Sequence, residues 1–155
     1  MTRSSTVTSA FVLVMTMFAL TVAPARASAQ GVGVRAGVSA DPDQFYMGVH
    51  YETKELIERL RFRPNLEIGL GDDRTLVALN FEFAYRFPLQ RSPWSVYVGA
   101  GPALNIYHSN NDTHPEGGFN ILIGLAHRRG LFTELKVGTI ESPSVKFGVG
   151  YTFPP

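Results

Sequence analysis

The chain has 155 residues, no cysteine, 45% hydrophobic residues and a formal net charge of +1. The length allows a single domain with a sizeable core, and the lack of cysteine excludes a disulfide framework and thiol chemistry. The nearly neutral charge argues against a nucleic-acid footprint, which needs a strong basic excess.

The first 29 residues have the features of a secretory signal peptide. Arg3 gives the start a positive charge, and residues 11–23 form an apolar stretch of 13 residues, within the roughly 7–15 typical of such leaders. Ala25, Ala27 and Ala29 create two A-x-A cleavage sites. We expect cleavage before Gln30, which leaves residues 30–155 as one domain with 12 basic and 13 acidic side chains.

From Gly31 onward, apolar and polar residues alternate with a period of two, the signature of strands with two different environments. The alternation predicts eight strands, at about 31–39, 44–52, 60–70, 75–87, 94–107, 118–127, 131–138 and 144–153. The predicted fold class is all-β, an antiparallel up-and-down eight-stranded barrel, because closure removes unpaired edges. Residues 53–59 are predicted either as a helical turn or as frayed strand ends. Pro64 and Pro102 fall inside strands, where proline is normally confined to bulges or unpaired positions.

The turn between the third and fourth predicted strands sets their register. A two-residue loop at Asp72 and Asp73 makes the numbers of paired residues sum to 145. Every pair then matches in polarity, whereas a slip of one residue sets polar positions against apolar ones. This register places Arg63 opposite Glu82 and predicts a salt bridge between them.

The glycines indicate which face of the barrel points outward. Glycine weakens a water-exposed strand, whereas the narrow lumen of an eight-stranded barrel is filled by side chains and needs small residues. Twelve of the 15 glycines fall on the polar face, at positions 31, 33, 37, 48, 69, 99, 101, 118, 124, 138, 148 and 150, and Gly71, Gly117 and Gly130 fall in predicted turns. We therefore expect the polar face to line the lumen and the apolar face to contact lipid, as in a transmembrane barrel. A soluble lipocalin-like barrel with an apolar interior is the alternative.

Aromatic residues gather at one predicted rim. If the N-terminus is periplasmic, the alternating strand directions bring them to the periplasmic side, where they form the girdle that membrane barrels place at an interface. The predicted girdle consists of Phe62, Tyr85, Phe87, Trp94, Tyr151 and Phe153. Both termini are then expected in the periplasm.

These features resemble the small outer-membrane β-barrel domain of OmpA/OmpX-type proteins. The resemblance covers about residues 31–153 and depends on the eight alternating strands and on the ending VKFGVGYTF, residues 145–153. It implies a bacterial outer-membrane location, contact with outer-membrane lipid and a C-terminal signal for the outer-membrane assembly machinery. The signal residues are Phe147, Val149, Tyr151 and Phe153. Pro154 and Pro155 depart from the family pattern, which usually stops at the aromatic residue.

Charged residues on the polar face are expected to fill the lumen. Because an eight-stranded lumen is normally plugged by its side chains, a salt-bridge network is favoured over an ion path, and a general porin is disfavoured. The predicted network consists of Arg63, Glu67, Glu82, Arg86, Glu134 and Lys146.

The longest predicted loop, residues 108–117, is expected on the extracellular side. It carries His108, Asp112, His114 and Glu116, side chains of the types that bind metals. Their spacing matches no standard ligand pattern, so a solvated loop is favoured and no metal or other cofactor is predicted.

A catalytic hypothesis uses His108, Ser109 and Glu116, a set that resembles the His, Ser and acid of the outer-membrane lipid A deacylases, which are also eight-stranded barrels. Adjacent side chains of an extended strand point in opposite directions, so the neighbouring His108 and Ser109 are poorly placed to act together. We therefore expect a non-enzymatic outer-membrane barrel with a structural or interaction role, such as adhesion or envelope integrity. A lipid-modifying hydrolase and the soluble ligand-binding barrel are the alternatives.

Overall fold

The computed structural model describes residues 31–72 and 74–153. The predicted signal peptide, Gln30, Asp73 of the predicted turn, and the final two prolines lie outside the described residues. Residues 31–72 and 74–153 contain no helix long and apolar enough to cross a membrane.

Nine strands make up the described chain. They are β1 (Gly31–Ala40), β2 (Gln44–Glu52), β3 (Glu55–Ile57), β4 (Leu60–Leu70), β5 (Thr75–Pro88), β6 (Trp94–Ser109), β7 (Asp112–His127), β8 (Leu131–Ile140) and β9 (Val145–Thr152). Eight of them correspond to the predicted strands, and the three-residue β3 is additional.

The eight long strands form a closed antiparallel barrel. The strands pair in the order β2, β1, β9, β8, β7, β6, β5, β4, in which the first strand pairs with the last, and the pairing of β2 with β4 completes the ring. The predicted all-β, up-and-down fold is therefore confirmed. Closure pairs every long strand on both sides, which removes the exposed edges that promote aggregation.

Residues 53–59 form part of a small hairpin rather than a helical turn. Glu55 lies opposite Arg61, and Ile57 lies opposite Leu60. The turn between them includes Arg59, which has a positive φ of 65°. This short extension of the sheet stands at the barrel end that also holds the termini.

The predicted register of β4 and β5 is confirmed along its whole length. Pairing runs from Leu70 opposite Thr75 to Leu60 opposite Tyr85, so the paired numbers sum to 145 throughout. Beside the turn, the backbone N–H of Gly71 donates to the carbonyl of Arg74 at 3.2 Å. Polarity matching across the hairpin therefore specified the alignment.

The prediction of a long loop at residues 108–117 is wrong. The β6–β7 hairpin continues to Ser109 opposite Asp112, and only Asn110 and Asn111 form its turn. Each strand has 16 residues, whereas about 9–11 are enough to cross a bilayer. Residues 108–117 are polar because they belong to strands that extend beyond the rest of the barrel, where both faces of the hairpin are exposed to water.

The apolar face points outward and the polar face points inward. Phe147, Ile121 and Val34 are 51%, 53% and 47% exposed, while Glu82 and Glu67 are 0% and 1% exposed. This inversion confirms the predicted orientation of the faces. It also contradicts the lipocalin-like alternative, since such a barrel needs an apolar interior to hold its ligand.

The two prolines inside strands lie on the outer face. Pro64 stands opposite Phe81 on β5, and Pro102 on β6 stands opposite Phe119 on β7. Backbone pairing of β6 with β5 stops at Ala103 and resumes at Ala100, because proline has no N–H to donate.

A small apolar cluster fills the lumen near the end with the termini. It consists of Ala84, Tyr97, Leu122, Ala126 and Phe132. Glycine is required beside its two rings: a Cβ at Gly124 would overlap the ring of Tyr97, and one at Gly150 would overlap that of Phe132. Glycines on the polar face therefore make room for large side chains from the adjacent strand.

Candidate functional site

Three buried carboxylates form the centre of the lumen. Glu67 on β4, Glu82 on β5 and Glu134 on β8 point inward because each occupies the polar phase of its strand. Each has two or more basic side chains within 4.0 Å. The charges are therefore compensated within the barrel, which a charge removed from water requires.

Arg35 and Lys136 connect the three carboxylates. Arg35 lies 2.8 Å from Glu134 and 3.3 Å from Glu67. Lys136 Nζ lies 2.6 Å from Glu82, 3.0 Å from Glu67 and 3.5 Å from Glu134. Since each base contacts acids from different strands, the cluster links opposite sides of the barrel.

Glu67 separates two lysines that the sheet places side by side. Lys136 and Lys146 are direct cross-strand neighbours on β8 and β9, an arrangement that is unfavourable for like charges. Lys136 binds Glu67 Oε1, and Lys146 binds Glu67 Oε2. One carboxylate therefore offsets the repulsion of the pair.

The predicted ion pair between Arg63 and Glu82 is wrong, although the two residues do face each other in the sheet. Arg63 lies 3.3 Å from Glu134 and 3.6 Å from Glu52 instead. The ring of Tyr97 lies under its guanidinium at 4.9 Å, and Tyr97 donates its hydroxyl hydrogen to Glu134 at 2.8 Å. Arg63 is therefore directed along the lumen, away from its cross-strand neighbour.

Three asparagines extend the network to the far wall. Asn120 donates to Asn80 at 2.8 Å, Asn80 donates to Asn65 at 2.7 Å, and Asn65 donates to Glu82 at 2.8 Å. These amides and Tyr97 were not among the predicted members of the network. Their position on the polar face was the available signal, but periodicity alone does not show which side chains meet across a lumen.

A second carboxylate cluster lies toward the end with the termini. Glu52 is 3% exposed, and it lies 2.6 Å from Arg86, 2.7 Å from Arg61 and 3.6 Å from Arg63. Among the described residues, Arg86 of the predicted network is joined to the central cluster through Glu52 and Arg63. At the level of Glu67, Glu82 and Glu134 the lumen is filled with side chains, so the central cluster plugs the barrel.

The residues of the metal and catalytic hypotheses lie on the extended hairpin rather than in a loop. His108 Nδ1 lies 2.7 Å from Thr113 Oγ1, and His114 Nε2 lies 3.2 Å from Asp112 Oδ2. Glu116 stands further down β7, opposite Asn105. In the part of the chain that the structure describes, no group of three or more His, Asp or Glu side chains is placed to hold a metal.

The predicted girdle residues come together in pairs at the end of the barrel that carries the termini. The rings of Tyr85 and Phe87 are 5.0 Å apart, and those of Tyr151 and Phe153 are 5.2 Å apart. Phe62 packs on Phe83 at 5.0 Å, and Trp94 packs on His127 at 4.8 Å. The predicted assembly-signal residues Phe147, Val149, Tyr151 and Phe153 all lie on the outer face and are at least 36% exposed.

Several solved structures have a fold similar to that of this chain. The chain is similar to the crystal structure of Neisserial surface protein A (TM-score 0.62, 17% identity, 81% of this chain and 94% of the other). It is also similar to the N-terminal β-barrel domain of Pseudomonas aeruginosa OprF (0.60, 14%, 82% and 97%). The outer membrane enzyme PagL matches with a TM-score of 0.54 at 10% identity, over 81% of this chain and 99% of the other. No protein-family model and no curated protein sequence matches the chain. The chain therefore has the fold of the small outer-membrane β-barrels.

Proposed function

We propose that the protein is a non-enzymatic β-barrel of the bacterial outer membrane with a structural or interaction role. The observation that carries this proposal is the inverted burial, with apolar side chains such as Ile121 exposed and charged ones such as Glu82 enclosed. A large apolar surface on a folded protein marks a contact with lipid or with another protein. A continuous apolar band around a closed barrel fits lipid.

The aromatic pairs support a defined position in the bilayer. Tyr and Trp favour the membrane–water interface because their rings are apolar and carry one polar group. We infer that the end with the termini faces the periplasm, so that this girdle lies at the periplasmic interface. In this proposed orientation both termini are periplasmic and the β6–β7 turn lies outside the cell.

The filled lumen supports a structural role rather than transport. Glu67, Glu82 and Glu134 are each held by several bases and are at most 2% exposed. Opening a path would separate ion pairs in a space with little water, which is costly. The plug therefore stiffens the barrel.

The extended β6–β7 hairpin is the best candidate for an interaction surface. Its outer part carries exposed polar residues, including His108, Asp112 and His114. Loops and hairpin tips held by a rigid scaffold are common sites of recognition. An adhesive or envelope contact would use this tip.

During biogenesis we expect the outer-membrane assembly machinery to recognise β9. Its outward aromatic residues, Phe147 and Tyr151, follow the alternating pattern of the proposed signal. A substitution such as Phe147→Asp is expected to lower the amount of barrel in the membrane. The control Lys54→Asp alters charge at an exposed position outside the strands and is expected to leave assembly unchanged.

Cell fractionation and gel mobility with and without heating test the proposal. We expect the protein in the outer-membrane fraction and a folded form whose mobility changes only after heating. Purified protein in planar bilayers is expected to show no steady conductance. Recovery in the soluble periplasmic fraction, or a steady open channel, would contradict it.

A lipid-modifying hydrolase is the second candidate, because His108 has a hydroxyl partner in Thr113 and PagL is described as an outer membrane enzyme. A deacylase assay on purified outer membranes separates the two functions. Activity that is lost in Ser109→Ala or Thr113→Ala would replace the structural proposal with the enzymatic one.

A further inference from the structure

A cavity of about 180 Å³ lies inside the barrel at the end with the termini. Its wall includes Glu52, Arg61, Arg63, Arg86, Arg128 and Phe132. The side chains of Arg61 and Arg86 are 29% and 24% exposed, so solvent reaches the mouth. The volume is below the ~300–1,000 Å³ of pockets for drug-sized ligands, and it suits a small ion with a few waters.

The wall of this cavity has a strong excess of positive charge. It contains four arginines and a single carboxylate, Glu52. Two other acids touch these arginines from outside: Glu134 is already bound to Arg35 and Lys136, and Glu55 lies 3.6 Å from Arg61 with half of its side chain in solvent. The cavity is therefore a region of positive potential enclosed by the barrel wall, where charges are screened less than on an open surface.

Partly exposed arginines border the same space. Arg61 and Arg86 are 29% and 24% exposed, whereas Arg63 is 2% exposed and its Nε lies 3.6 Å from Glu52 Oε2. Within the described residues, the buried Nε atoms of Arg61 and Arg63 have no acceptor within hydrogen-bond distance. An oxygen-rich anion in the cavity would balance the excess positive charge and accept hydrogen bonds from the exposed guanidinium groups.

The arginines are also held in position before any ligand arrives. The guanidinium of Arg63 lies 4.9 Å from the ring of Tyr97 and 5.0 Å from that of Phe132. Glu52 fixes Arg61 and Arg86 from one side. Such preorganisation lowers the entropy lost on binding, and arginine matches phosphate and carboxylate oxygens with paired N–H groups.

We propose that this cavity binds a small soluble oxyanion, and phosphate more tightly than a carboxylate. The ring of strands separates the cavity from the surrounding lipid, so the ion enters from the aqueous side at the end with the termini. Phosphate is favoured because it carries more charge and more acceptor oxygens than a carboxylate. This proposal goes beyond the structural role above and does not depend on the membrane in which the barrel resides.

Titration calorimetry on the purified barrel, folded in a neutral detergent, tests the proposal. Inorganic phosphate is the first probe, and acetate represents a carboxylate source. Chloride keeps the ionic strength constant in every titration. We expect saturable phosphate binding with one site and weaker binding of acetate; an acetate affinity equal to that of phosphate would overturn the stated preference.

The turn after β7 offers a matched pair of variants. Arg128 lines the cavity, whereas Arg129 is the next residue, is also exposed and does not line it. We expect Arg128→Gln to weaken phosphate binding about tenfold, the typical effect of one charged hydrogen bond, and Arg129→Gln to leave it nearly unchanged. Equal losses in the two variants would show nonspecific charge attraction, and absence of saturable binding by the unaltered protein would overturn the site itself.

Discussion

Arg63 and Glu82 lie directly opposite each other on β4 and β5, yet their charged groups bind different partners. Arg63 contacts Glu134 and Glu52, while Lys136 lies 2.6 Å from Glu82. Register therefore brings a side chain to a level of the lumen without choosing its partner. In so narrow a barrel, contacts across the lumen compete with contacts between adjacent strands.

Glu82 is expected to be coupled energetically more strongly to Lys136 than to Arg63. Double-mutant cycles with Glu82→Gln, Lys136→Met and Arg63→Met are expected to give about 1–3 kcal/mol for Glu82 with Lys136, as for groups in contact. The energy for Glu82 with Arg63 is expected to be smaller by about 1 kcal/mol. Urea unfolding from lipid vesicles provides the measurement, and equal coupling energies would contradict the observed partners.

Removal of the Glu67 carboxylate should destabilise the barrel strongly. Glu67→Gln leaves the neighbouring Lys136 and Lys146 without the charge that separates them, so we expect the free energy of unfolding to fall by about 3–5 kcal/mol. Glu141→Gln is the control, because Glu141 is an exposed carboxylate. A loss for Glu67→Gln no larger than for the control would show that the cluster is not a stabilising brace.

The glycine opposite Tyr97 should tolerate no side chain. Gly124→Val is expected to lower the free energy of unfolding by about 1–3 kcal/mol or more, as overpacking does, because a Cβ there overlaps the tyrosine ring. Gly117→Val is the matched control, since nothing lies within 4 Å of a Cβ at that position. Thermal unfolding in detergent compares the two, and similar melting temperatures would argue against the tight fit.

Surface labelling should distinguish the two ends of the barrel. The chain has no cysteine, so Asn111→Cys at the tip of the β6–β7 hairpin and Arg91→Cys in the turn between β5 and β6 each provide a single label site. In intact cells we expect an impermeant thiol reagent to label Asn111→Cys alone. Arg91→Cys should react only after permeabilisation, and the reverse pattern would invert the proposed topology.

The fluorescence of the single tryptophan should report an interfacial depth. Trp94 lies at the start of β6, packed against His127 at 4.8 Å, at the end with the termini. Lipids brominated near the headgroup are expected to quench it more than lipids brominated near the chain end. Strongest quenching from the bilayer centre would place this rim inside the hydrocarbon region.

The sequence alone was enough to predict the closed eight-stranded fold and its inverted faces. Strand periodicity is a local property, so alternation such as that from Val77 to Phe87 is visible without a structure. The glycines added the orientation, because residues such as Gly124 and Gly150 are useful only where bulky side chains meet inside a narrow barrel. The register of β4 and β5 followed from polarity matching, since a slip of one residue reverses every face.

Only the tertiary structure decided how far the hairpins extend and which charges pair. Polar residues 108–117 have no apolar face to signal a strand, yet hydrogen bonding between β6 and β7 continues through them to Ser109 opposite Asp112. The partners of Arg63 come from other parts of the chain. Glu52 on β2 is more than ten residues away in sequence, and Glu134 on β8 is more than seventy residues away. Alternation specifies which residues enter the lumen, whereas the closure of the ring specifies which of them come within bonding distance.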